Sequence, residues 1–175
     1  RAERIPQSVK VIRRRELADF MNQLACEAQR RLDAEETLAS PHYLFIYGLQ
    51  RARDLRQDEN FGFSSYGDSP PAPSPAQQFT TILRDGPEVG IHTVVWCDTM
   101  TNLNRTFDRR VLREFAMRVA FQMSVDDSTN LLDISSASKL GQHRALFYNE
   151  EENIQEKFRP YGLPSVDLLE KFRLA

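Results

Sequence analysis

Four short apolar runs constrain this chain more than anything else in it. They are HYLFIY at 42–47, IHTVVWC at 91–97, MRVAFQM at 117–123 and HRALFY at 143–148. Each is too short for an ordinary helix, and none shows a clean apolar–polar alternation. Such runs read as strands covered on both faces, as in a parallel sheet between helical layers. A shorter β-like run, VKVI, lies at 9–12. Helical patterns fill the gaps. Leu17, Phe20, Met21, Leu24, Ala28 and Leu32 recur at spacings of three and four, which predicts a helix over 14–38, with Pro41 beyond its end. Residues 76–85 predict a second helix, closed by Gly86 and Pro87, and 109–116 a helical turn or two. Ser124 and Asp127 fit an S-x-x-D box opening a short helix to Asp133. Pro164 and Ser165 open a last helix at 165–173, expected to bury Leu168, Leu169 and Phe172. The EKFRPY run at 156–161 either extends the sheet or forms a hairpin. Strands alternating with helices predict an α/β fold, a mainly parallel sheet of four to five strands flanked by helices.

The 175 residues are enough for one core, and the chain reads as a single α/β domain spanning 1–175. Within it, 57–75 holds four of the nine prolines, with Gly62, Gly67 and several serines, and is expected to be a flexible loop. The chain opens on Arg1 and reads as a fragment of a larger protein. A formal charge of −2 gives no general attraction to nucleic acid or anionic lipid. No apolar run approaches the roughly 20 residues of a membrane helix, and no charged-then-apolar leader opens the sequence. The expected compartment is therefore cytoplasmic. The two cysteines, Cys26 and Cys97, sit in apolar settings and read as buried, reduced thiols. With His42, His92 and His143 scattered, no zinc-type spacing exists, and no metal site is expected.

Sheets of this kind bind ligands beyond the C-terminal ends of their strands. A nucleotide enzyme would carry G-x-x-x-x-G-K-[ST] there, because backbone amides and the lysine hold the phosphates. None of the four lysines, Lys10, Lys139, Lys157 and Lys171, follows a glycine, so that loop is absent. G-x-G-x-x-G and G-x-S-x-G are absent too, and no catalytic residue is assigned. Asp98 is the strand-end residue with the most chemistry open to it, with Thr99 and Thr101 beside it; its plain alternative is to cap the segment that follows. Asp126–Asp127 reads as capping, Glu150–Glu152 as a solvated acidic run, and the many arginines as a surface salt-bridge lattice.

Four strings in register carry a family resemblance. GIH at 90–92 before an apolar strand resembles the AGIHLILATQ stretch of FtsK/SpoIIIE-type motor ATPases of the HerA–FtsK superfamily. RVAFQMSVDDSTNLLD at 118–133 and SKLGQHRALFY at 138–148 resemble later strings of that family, and ACEAQRR at 25–31 resembles the helix before its Walker B strand. The resemblance covers about 14–148. It implies a partial RecA-like P-loop NTPase fold, assembly into homo-oligomeric rings, and work on DNA or, in secretion relatives, on protein substrates. It also marks where this chain departs. The strand matching Walker B ends in Tyr47–Gly48, where the family has Asp-Glu, the first for Mg²⁺ and the second for the attacking water. The family's sensing Gln falls on Thr99 or Asp98, and the Arg expected after Asp127–Ser128 is Thr129. The Walker A segment would lie upstream of Arg1. The resemblance thus implies the C-terminal portion of a degenerate ATPase domain that does not hydrolyse ATP alone. ATP and Mg²⁺ would belong to the full-length protein. Asp98, Thr99, Thr101 and Arg118 are the candidates for its nucleotide face, and Arg105 and Arg118 for arginines presented across a subunit boundary. The other readings are a stand-alone protein-interaction module and an enzyme using Asp98.

Overall fold

The computed structural model describes residues 8–36, 39–57 and 72–174. Most of the segment expected to be a flexible loop, 58–71, lies outside them. The fold is mixed α/β, and the chain divides into two compact units, Arg13–Ala116 and Arg1–Ile12 with Met117–Ala175.

The first unit holds α1 (Leu17–Asp33), β1 (His42–Tyr47), α2 (Pro75–Asp85), β2 (Ile91–Trp96), α3 (Met100–Asn104) and α4 (Arg109–Leu112). β1 and β2 pair in parallel, His42 opposite Ile91 through Tyr47 opposite Trp96. Met21 and Ala28 of α1 and Phe79 and Ile82 of α2 are buried in one core. Each large apolar side chain buried there contributes about 2 kcal/mol. Gln78 Nε2 donates to Asn22 Oδ1 at 2.8 Å, joining the two helices. Helix α2 starts where Ser74 and Gln77 cap each other's backbone amides, with Pro75 in its first turn. It ends at Gly86, where a Cβ would collide with the Ile82 carbonyl and lie 2.8 Å from that of Ile91. Only glycine lets the helix end approach β2 this closely. Helix α1 stops at Asp33, earlier than its apolar periodicity suggests. Glu35 takes a left-handed φ of 51°, and the Arg31 guanidinium gathers the returning chain by donating to the Ser40 and Val89 carbonyls.

The second unit holds β3 (Met117–Ala120), α5 (Val125–Leu132), β4 (Ala145–Asn149), β5 (Ile154–Phe158) and α6 (Val166–Leu174). Its sheet has the order β3-β4-β5 and is antiparallel throughout. Ser124 caps α5 by accepting from Asp127 N at 3.0 Å, as its S-x-x-D box predicts. Ser128, fully buried, donates to the Ile134 carbonyl and accepts from Ala137 N, fixing the turn after α5 against Leu132, Leu140 and Leu146. The EKFRPY ambiguity resolves as a hairpin. β5 returns along β4 through a turn in which Asn149 Oδ1 accepts from Glu151 N and Asn153 takes a φ of 53°.

Four expectations are corrected. The strands do not form one mainly parallel sheet; among the described residues they form a parallel pair and an antiparallel trio. A continuous apolar run specifies burial, not the neighbour or its direction. The 9–12 run forms no strand. Of the side chains expected to be buried by α6, Leu168 is 44% exposed and Leu169 is partly buried, and that of Phe172 lies outside the described residues. Cys26 is exposed on the outer side of α1 and Cys97 is half-buried.

Candidate functional site

The parallel register of β1 and β2 brings both C-terminal strand ends to one edge, where Gly48 N donates to the Trp96 carbonyl at 3.1 Å. Gly48 has a φ of 82°, which turns the chain sharply after Tyr47. On the β2 side, Thr99 Oγ1 accepts from Asn102 N at 3.2 Å and caps α3. Asp98, one residue earlier, accepts from Asn102 Nδ2 at 2.8 Å and from Thr99 Oγ1 at 3.3 Å. The Asn102 hydrogen bond leads the causes that hold the Asp98 carboxyl below its ordinary range, so it is ionised at neutral pH. Asn102 Oδ1 in turn accepts from Arg105 at 3.3 Å. Thr101 lies exposed in the first turn of α3. Asp98, Thr99 and Arg105 therefore form one exposed polar chain, which braces α3 against the end of β2.

Arg118 belongs to the other unit and has different surroundings. It is 7% exposed, donates to Glu150 Oε2 at 2.6 Å and to the Leu131 carbonyl at 3.2 Å, and lies 6.0 Å from the Tyr148 ring centroid. These contacts tie β3 to the end of α5 and to the β4–β5 turn. Among the described residues no three His, Cys, Asp or Glu side chains cluster closely enough to hold a metal ion.

Sequence reasoning missed a different surface. Along β1, Tyr43, Phe45 and Tyr47 are exposed, while Leu44 and Ile46 pack against the core. Along β2, His92, Val94 and Trp96 are exposed, while Val95 faces inward. The register sets Tyr43 opposite His92, Phe45 opposite Val94 and Tyr47 opposite Trp96, so all six share one face. Phe45 is 70% exposed, Tyr47 81% and Trp96 43%. Tyr47 stacks on Trp96 with centroids 4.8 Å apart and planes 18° apart, and Tyr43 meets His92 at 5.4 Å. Four rings of this size, 43% to 81% exposed, offer roughly 500 Å² of apolar surface, a patch of the size that marks interaction sites. The runs read as covered on both faces are thus covered on one. The signal was present in side-chain type: aromatic residues alternate with aliphatic ones along HYLFIY. A reading that scores only apolar against polar does not register it.

No family model matches the sequence, and no curated protein matches it either.

Proposed function

We propose that this chain is the C-terminal portion of an FtsK/HerA-like ATPase domain, catalytically degenerate, whose role in a larger cytoplasmic motor is to dock rather than to hydrolyse. The four strings in register support the family. The uncovered aromatic face of β1–β2 carries the docking role, because parallel strands are ordinarily covered on both sides. The strand ends do not fit a magnesium–nucleotide site. Tyr47 and Gly48 offer no carboxylate, and Asp98 on the next strand is engaged by Asn102 and Thr99. No step through nucleotide is therefore assigned to these residues. ATP and Mg²⁺ would be held by the full-length protein on an upstream Walker A segment, and DNA or a protein substrate would be engaged by the whole motor. Asp98, Thr99 and Thr101 would border such a site. Exposed Arg105 suits a role across a subunit boundary, whereas Arg118 would first have to leave Glu150. A stand-alone protein-interaction module is the second reading; the antiparallel β3-β4-β5 sheet favours it, since the RecA-like expectation is parallel.

Calorimetry with MgATP tests the absence of a nucleotide site. The expected result is millimolar affinity or weaker, about −4 kcal/mol, with no turnover. Micromolar binding would overturn it.

A further inference from the structure

The aromatic face has a counterpart elsewhere in the chain. After β5 the sequence runs R-P-Y-G-L-P-S at 159–165 without helix or strand and then enters α6. Tyr161 is fully exposed, Leu163 is 84% exposed, and Val166 and Leu168 are about as exposed as they are buried. Among the described side chains from 159 to 171, only Leu169 is partly buried. Its two prolines favour an extended, polyproline-like path, and such segments dock on aromatic-lined surfaces at low entropic cost. The lengths agree. Pro160 to Pro164 spans about 12 Å in that conformation, and Tyr43 to Tyr47 about 13 Å of strand.

We propose that the β1–β2 aromatic face is the seat for the C-terminal tail, residues 159–169, of a second copy of this chain. The proposal rests on the docking reading of that face and names its occupant. Two arguments favour a second copy. The first is area. The face offers roughly 500 Å², and Tyr161, Leu163, Val166 and Leu168 present a comparable apolar surface, so that together with their polar borders the pair approaches the ~800 Å² per partner of a standard interface. The second is charge. Exposed Arg51 and Arg53 follow the C-terminal end of β1, and exposed Glu88 precedes the start of β2. A tail laid parallel to β1 brings Asp167 to the two arginines and Arg159 to Glu88. The contact joins unlike surfaces, so each copy keeps one free tail and one free face, and association continues beyond a dimer until it closes.

The test uses the full chain in three forms: wild type, a face variant (Phe45→Ser with Tyr47→Ser) and a tail variant (Tyr161→Ser with Leu163→Ser). All four positions are exposed, so melting temperatures should match that of wild type, and each form is melted first to establish this. Trp96 is the only tryptophan and lies in the proposed seat, so its emission reports occupancy directly. Sedimentation velocity and Trp96 emission are followed over dilution. The wild type is expected to associate with a blue shift of Trp96, and each variant to lose at least about tenfold in apparent affinity. An equimolar mixture of the two variants retains one intact face and one intact tail, so it should recover dimers and stop there. A tail variant that associates as well as wild type would overturn the proposal, as would a wild type that stays monomeric at ~100 μM. Either result leaves the MgATP outcome untouched, so failure here is distinguishable from failure of the docking-without-hydrolysis reading.

Discussion

Arg31 is a cation placed among backbone carbonyls, and it shows how one residue sets a turn. Its side chain is 4% exposed, Nε donates to Glu27 Oε1 at 2.8 Å, and its terminal nitrogens reach the Ser40 and Val89 carbonyls and lie 3.2 Å from His42 Nε2. It thereby joins α1 to the approach to both strands. Arg31→Leu keeps the apolar stem but leaves those carbonyls without a donor. We expect a loss of about 2–3 kcal/mol, read as a lower midpoint in urea with an unchanged slope. A midpoint within error of wild type would contradict the role. Glu27 has a titration consequence. Its hydrogen bond from Arg30, then that from Arg31, holds the carboxyl at about 2 against an ordinary 4.5. A lowered folded-state value means stability that is fully present above pH 4.5 and lost as pH falls towards 2. Glu27→Gln should therefore lower stability at pH 7 and flatten its decline between pH 4.5 and 2. Parallel acid limbs for the two proteins would show that the pair contributes nothing to folding.

At the scale of elements, the two ends of α2 and the two faces of β1 respond differently to substitution. Gly86→Ala forces a Cβ against the Ile82 and Ile91 carbonyls, which are backbone atoms and cannot rotate away. The expected cost is about 1–3 kcal/mol, the range for forcing extra atoms into a tightly packed site. Phe45→Ser, although it removes a whole ring, touches an exposed side and should shift stability by less than about 0.5 kcal/mol. Thermal melts of the two variants check both, and the reverse ranking would show that the face is packed within the chain. The sequence made the helices legible because their signals are local: periodicity in α1, the Gly86–Pro87 pair that closes α2, and Ser124 before α5. It did not make the sheets legible, because pairing depends on residues far apart. HRALFY reads the same whether its neighbour runs with it or against it, and the β4–β5 hairpin becomes visible only once Asn149 and Asn153 are seen to shape a turn. The strand-end polar residues were found from position alone, but their bonding to one another was not. Asp98 serves Asn102 rather than capping α3, a task that falls to Thr99.

For the whole molecule, the β1–β2 sheet has one side against its own core and one apolar side exposed, and edge strand β3 of the other sheet repeats the feature. In the second unit Met117 and Val119 of β3 are exposed, with Phe121 just beyond, on the pattern shown by Tyr43, Phe45 and Tyr47 in the first. In the first unit a short exposed hydrogen-bond chain lies at the strand ends, and the exposed aromatic surface lies on the sheet face. Site-specific photocrosslinking tests that contrast most directly. A benzophenone amino acid is placed at Phe45 in one full-length sample and at Thr101 in another, and each is irradiated at micromolar concentration. Adducts are expected from position 45, mapping by mass spectrometry to residues 159–169 of another chain, and none from position 101. Adducts from position 101 with none from position 45 would contradict it, and would return the strand ends, and Asp98 with them, to the centre of the molecule's function.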